Sequence, residues 1–208
     1  MQPNPSPWLA WARELYSMAQ AGLTYCQNDF DLDRYRRLQE ISAEIIASQS
    51  ALEKAAVLES FSMQAGYATP KVDVRGAVMR AGKILLVQEK TDGRWSLPGG
   101  WADLNDSPAE VVAREVREES GFEVRVDKLI AVFDANRHIQ PVEFYRAYKL
   151  IFLCSITGGA AEASFETPAV DFFEPGNLPP LSMLRTNQRI LDEVFRHFAD
   201  PNLSTAFD

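Results

Sequence analysis

The stretch LPGGWADLNDSPAEVVAREVREESGF, from Leu97 to Phe122, decides how this chain folds. It joins a Gly-Gly turn to an amphipathic helix. Ser107 or Asp106 can cap the helix N-terminus, and Pro108 suits the first turn because its missing N–H would have had no partner there. Gly121 supplies a C-terminal stop. Between these ends Ala109, Val112, Ala113 and Val116 repeat at three- and four-residue spacing, which predicts the face that packs on a core.

Glu115, Glu118 and Glu119 stand at i, i+3 and i+4, so their carboxylates project from one side of that helix. Crowded anions need a positive partner. A hard cation with oxygen ligands, Mg²⁺ or Mn²⁺, suits a carboxylate cluster with no neighbouring Cys or His. Arg114, four residues before Glu118, can hold that carboxylate by an ion pair. Gly99 and Gly100 allow a tight turn ahead of the helix and can offer a backbone carbonyl as a further ligand. The chemistry implied is phosphoryl transfer to water. For an isolated R-E-V-R-E-E the plainer reading is a solvated helix surface, and the whole constellation argues against it.

These residues resemble the Nudix box, at Gly100, Asp106, Arg114, Glu115, Val116, Glu118, Glu119, Gly121 and Phe122. One position departs, since Asp106 stands where the pattern has Glu. In the family that residue supports the loop and the Arg, so the shorter side chain bears on loop geometry more than on metal binding. The resemblance implies a hydrolase of nucleoside diphosphates linked to another group X. Glu118 and Glu119 would be metal ligands with Gly99, and Glu115 a ligand or the base that orients water. Gly100 would meet the substrate. The implied fold is an α+β Nudix α/β/α sandwich with a mixed sheet, preceded by a small all-helical N-terminal domain.

The whole chain sets bounds. Its 208 residues and 46% hydrophobic content allow a packed core and a second small domain. A net charge of −8 argues against nonspecific nucleic-acid binding and against an anionic membrane surface. Cys26 and Cys154 have neither pairing nor metal-type spacing and read as reduced thiols. No apolar run approaches a membrane span and no signal peptide opens the chain, so a cytoplasmic location is expected.

Residues 1–66 read as a helical domain and 67–208 as the catalytic one. Trp8, Trp11, Leu15, Met18 and Ala19 predict a first helix ended by Gly22. Tyr35, Leu38, Ile41, Ile45 and Ile46 predict a second from near Asp31, with an Asp33–Arg37 pair, and a third spans about 50–64. Three such helices offer little core, so packing on the second domain or on another subunit is expected. The arrangement resembles the Nudix subgroup with an N-terminal helical extension, whose members hydrolyse ADP-ribose or CDP-choline and act as dimers. The residues carrying it are Gly22, Leu23, Thr24 and Tyr25, then Asp31, Arg34 and Tyr35.

In the second domain KVDVRGAVMR and KILLVQEK predict a hairpin. Strands follow over 123–133, 144–156 and 170–174, then a helix over 186–198 and a frayed C-terminus. Arg75, between apolar strand neighbours, predicts contact with the substrate diphosphate in preference to a structural ion pair. Glu166 lies where the family often supplies a further acid for metal or base catalysis, with a solvent-exposed Glu as the alternative. Glu89 and Lys90 read as a solvated strand end. His138 reads as exposed and His197 as a cap or surface residue.

The leading reading is thus a Mg²⁺- or Mn²⁺-dependent pyrophosphohydrolase of ADP-ribose, with CDP-choline second. A housecleaning triphosphatase and a non-catalytic nucleotide sensor are the competitors, and the intact Glu115, Glu118 and Glu119 argue against the sensor.

Overall fold

The computed structural model describes residues 7–64, 66–138 and 144–208. The chain divides into two compact units, Met1–Thr69 and Pro70–Asp208.

The first unit holds α1 (Pro7–Tyr25), α2 (Asp29–Gln49) and α3 (Lys54–Ser62). Helix α1 passes through Gly22, which was expected to end it, because Gly22 lets the Tyr35 ring of α2 lie against the helix backbone. Asn28, rather than a residue near Asp31, starts α2, its side chain accepting from the N–H groups of Phe30 and Asp31. The buried face of α1 is Leu9, Ala12, Tyr16 and Ala19, while Trp11 and Met18, expected inside, are exposed. Small side chains explain the choice. Ala12, Ala19, Ser42 and Ala43 let α1 and α2 approach closely, and the Ser42 hydroxyl donates to the Ala12 carbonyl at 2.8 Å. On α2 Asp31 pairs with Arg34, Asp33 with Arg36, and Arg37 with Glu40 and Glu44, rather than Asp33 with Arg37. They lie on the exposed surface and contribute little.

The second unit is a mixed sheet between two helices. Its strands are β1 (Lys71–Arg80), β2 (Lys83–Gln88), β3 (Trp95–Ser96), β4 (Phe122–Asp134), β5 (Ala147–Gly159), β6 (Ala169–Phe173) and β7 (Ala206–Phe207). The helices are α4 (Pro108–Ser120), the single turn α5 (Ala135–His138) and α6 (Gln188–Ala199). Strand order is β3-β2-β1-β5-β4-β7, with β6 also on β2. The β1–β5 and β4–β7 pairs are parallel and the others antiparallel. Ile84 to Val87 on β2 are fully buried, as a continuous apolar run in a covered strand should be.

Each face of the sheet has its own core. Val111, Val112 and Val116 of α4 pack with Val74, Val78, Leu85 and Phe152. Ile190, Leu191 and Val194 of α6 pack with Ala77, Ile84, Leu86, Ile130 and Ile151. The period-two alternation along β1 sends Val74 and Val78 to the α4 side and Ala77 to the α6 side. Ala109, expected on the packed stripe of α4, is exposed one turn before the sheet begins to cover the helix.

The C-terminus is not frayed. Ala206 and Phe207 pair with Ala131 and Val132, Lys128 donates to the carbonyls of Pro201 and Leu203, and Arg189 meets Asp208 at 3.1 Å. His197 is fully buried rather than at the surface, with Lys128 and Glu193 flanking its ring. Burial and Lys128 hold its pKa below the usual histidine range. The expectation for the His138 side chain lies outside the described residues. Among the described residues no helix is long and apolar enough to cross a membrane.

Candidate active site

Helix α4 is built to hold its place. Ser107 accepts from the Glu110 N–H while Glu110 accepts from the Ser107 N–H, a reciprocal cap that contributes about 1 kcal/mol. Gly121 closes the helix in the left-handed conformation at φ 76°. With its three valines buried against the sheet, the helix places Glu115 and Glu119 at the Gly99–Gly100 turn and leaves Glu118 half-exposed beside Arg114.

That turn approaches the helix closely. Gly99 has φ 144°, and a Cβ there would overlap the Val74 carbonyl, so only glycine fits. The Gly99 N–H donates to Glu119 Oε2 at 2.8 Å. A Cβ on Gly100 would come within 2.9 Å of Glu115 Oε2, so the turn and the carboxylate share one space.

Arg114 gathers the acids on the other side. Its guanidinium lies 2.7 Å from Asp103, 3.0 Å from Glu115, 3.4 Å from Glu118 and 3.5 Å from Asp106. The short Asp106 side chain makes the longest of these contacts, and Asp103 supplies the close one. Asp103 was not anticipated, because the loop folds back over a distance that spacing does not encode.

Burial is the main electrostatic fact here. It pushes Glu119 up to about 7, helped by Glu89 and Glu115 and opposed by the Gly99 N–H and Arg75. Burial likewise raises Glu115, with Arg114 opposing and Glu118 reinforcing.

A divalent cation suits this donor set, which is all oxygen without thiol or imidazole. Among the described residues no cluster of three or more ligating side chains is already closed. Arg114 draws Glu115 and Glu118 aside while the Gly99 N–H holds Glu119, so binding a cation requires these side chains to turn. The contact made by Gly99 is through its N–H, whereas its carbonyl was the expected ligand atom.

The remaining candidates are placed as follows. Arg75, expected to meet a diphosphate, is buried and forms a two-pronged pair with Asp73, Nε–Oδ1 2.8 Å and Nη2–Oδ2 2.9 Å. Its Nη1 donates to the Leu97 carbonyl at 3.1 Å. Asp73 also meets Lys149 Nζ at 3.2 Å from the directly opposite position on β5. Burial works against both charges, yet the mutual attraction wins, raising Arg75 and lowering Asp73. The alternation that aims Asp73 and Arg75 at one face is visible in the sequence, but the β5 register that brings Lys149 to them is not.

Glu89, expected in solvent, is buried, accepts from the Ser96 hydroxyl at 2.6 Å and pairs with Arg185 at 3.0 Å. Glu166 is exposed on the β5–β6 loop, its carbonyl accepting from the Lys90 N–H. The next residue, Thr167, donates to the Glu119 carbonyl at 2.7 Å, which fastens this loop to α4. A cavity of about 190 Å³ lies beside these groups, lined by Asp73, Arg75, Gly100, Trp101, Tyr145 and Lys149 among others.

Comparison with known proteins agrees with this geometry. Residues 6–61 match the family described as UDP-X-like, N-terminal oligomerisation domain, and residues 70–196 match the NUDIX domain. A Bacillus subtilis protein named "Putative ADP-ribose pyrophosphatase YjhB" is 41% identical over 201 residues, 97% of either chain. The crystal structure of an ADP-ribose pyrophosphatase from Streptococcus suis shares 36% identity at a TM-score of 0.62, covering 67% of this chain and 100% of that one. A crystal structure of UDP-X diphosphatase shares 29% identity at a TM-score of 0.63, covering 99% of this chain and 100% of that one. The box residues, their placement on α4 and these matches make the chain a member of the Nudix hydrolases, a pyrophosphohydrolase of nucleoside diphosphate-linked compounds that carries the UDP-X-like N-terminal domain.

Proposed function

We propose that this enzyme hydrolyses ADP-ribose to AMP and ribose 5-phosphate with Mg²⁺ or Mn²⁺. The carrying observation is the set of Glu115, Glu118 and Glu119 on one helix, with Glu119 bonded to the Gly99 N–H at 2.8 Å and Glu115 against Gly100. The choice of ADP-ribose rests on the names of two relatives. Glu118, Glu119 and Gly99 would hold the cation, which when bound would neutralise diphosphate charge and favour loss of a proton from the attacking water.

The chain's own groups then do the rest. Arg114 holds Glu115 and Glu118 beside the site, and both carboxylates would turn from it as the cation binds. Glu115, half-buried beside Gly100, orients the water and accepts its proton. Glu166 is the second candidate base, and its exposure on the loop ranks it behind Glu115. The water oxygen bonds to one phosphorus as the P–O bond of the anhydride breaks, and the departing phosphate leaves as a monoester.

A UDP-linked compound is the second substrate reading. It is favoured by the whole-chain likeness to UDP-X diphosphatase and by the matching N-terminal family. CDP-choline is third. The test is phosphate release through a coupled phosphatase across ADP-ribose, UDP-sugars, CDP-choline and nucleoside triphosphates. ADP-ribose should turn over at least about tenfold faster than the rest, and chelation with EDTA should reduce turnover by at least about a hundredfold, restored by Mg²⁺ or Mn²⁺. Preference for a UDP compound would replace ADP-ribose, and full activity in EDTA would remove the metal.

The N-terminal unit supplies the homodimer contact in this proposal, in a cytoplasmic enzyme. Trp11, Met18 and Tyr25 repeat every seven residues along α1 and are all more than half exposed. This is the periodicity of a helix–helix seam. Replacing Met18 by Glu should shift the full chain from dimer to monomer in light scattering, and an unchanged mass would move the contact elsewhere.

A further inference from the structure

The cavity beside the carboxylates has walls unlike the rest of the site. Trp101 follows the Gly-Gly turn, and its backbone is held to β1 on both sides. The Val74 N–H donates to the Gly100 carbonyl at 2.8 Å, and the Ala102 N–H donates to the Val72 carbonyl at 2.9 Å. The main chain that carries the indole is thus fixed, and Trp101 lines the cavity while 52% exposed. Tyr145 lines the same cavity. The Lys71 ammonium lies 5.6 Å from the centroid of each ring, so both aromatic faces are turned to one point in space.

We propose that this cavity is the nucleobase subsite, with Trp101 and Tyr145 as its stacking walls and Lys71 as the group the base displaces. A purine presents a flat π-face that stacks on fixed rings, and the exposed Lys71 stem can swing out to meet phosphate. Gly100 connects the two regions, since it lines the cavity and leaves no room for a side chain beside Glu115. A base seated between the rings thus brings its own diphosphate to the acidic face of α4. Arg75 lines the cavity together with the Asp73 it pairs with, and Lys149 lines it from the opposite position on β5, so positively charged side chains stand where the phosphates of such a ligand would lie.

This inference rests on the nucleoside diphosphate reading, and the test separates the two. Steady-state kinetics of Trp101→Ala, Tyr145→Ala and Trp101→Phe would be measured with ADP-ribose and with ribose 5-diphosphate, which lacks a base. AMP binding by calorimetry would be measured alongside, without turnover. The alanine variants should raise KM for ADP-ribose and Kd for AMP by about tenfold or more, with kcat within about threefold. Trp101→Phe should recover most of the loss, and the base-free diphosphate should not distinguish the variants from the parent. Unchanged AMP affinity in both alanine variants, or equal weakening of the base-free diphosphate, overturns the assignment. If the parent enzyme hydrolyses no diphosphate, the function proposed above fails, while AMP binding still decides the subsite.

Discussion

Replacing Glu118 by Gln will lower kcat for diphosphate hydrolysis by about a thousandfold or more while the protein stays folded. Glu118 is well suited to this separation, because its side chain is half-exposed and its ion pair to Arg114 is long at 3.4 Å. Such a contact contributes only a few tenths of a kcal/mol, so the melting temperature should move by no more than about 3 °C. The amide keeps the shape and removes the charge a cation would need. Activity within about tenfold of the parent would remove Glu118 from the metal set, and an unfolded variant would make it structural. Glu119→Gln is a less clean probe, since Glu119 is largely buried and anchors the Gly99 N–H at 2.8 Å.

Asp73→Ala should be the most destabilising single change in the second unit, at about 3–5 kcal/mol. Asp73 pairs with both Arg75 and Lys149, each only 4% exposed, and its loss takes a carboxylate away from two buried cations. Denaturant unfolding followed by circular dichroism measures the difference, and a loss below about 1 kcal/mol would mean that water reaches the pair. The same network sets an acid limit. Asp73 lies below its ordinary range in the folded protein, so its contribution is complete above the unfolded carboxylate pKa of about 3.9 and is lost as pH falls below it. The alanine variant should lack this part of the acid-induced loss.

How far the residues alone could be read depended on the length scale of each interaction. The α4 cap, the Gly-Gly turn and the three carboxylates lie within one stretch of local contacts, and helical periodicity suffices to put Glu115, Glu118 and Glu119 on one side. The buried run of β2 was legible for the same reason, since four consecutive apolar residues need cover on both faces. By contrast, the packed face of α1 was misread because large apolar side chains outrank small ones in any periodicity count. Helix contact there is decided by what lets two backbones approach, and Ala12, Ala19 and Ser42 do so. Glu89 read as solvated since neither Ser96 nor Arg185 is its neighbour in sequence.

The sequence by itself therefore determined the family, the mixed-sheet sandwich with its helical N-terminal unit, and the acidic helix that the proposed chemistry rests on. These follow from hydrophobic period, capping and fixed spacing, which are local and strong. Only the tertiary structure decided that Arg75 belongs to Asp73 and Lys149, that Asp103 takes the close place on Arg114, and that Trp101 and Tyr145 face one cavity. The C-terminal strand, pairing Ala206 with Ala131, belongs with them. Each is set by strand register or loop return across tens of residues, where one residue of slip would send every side chain to the opposite face of the sheet.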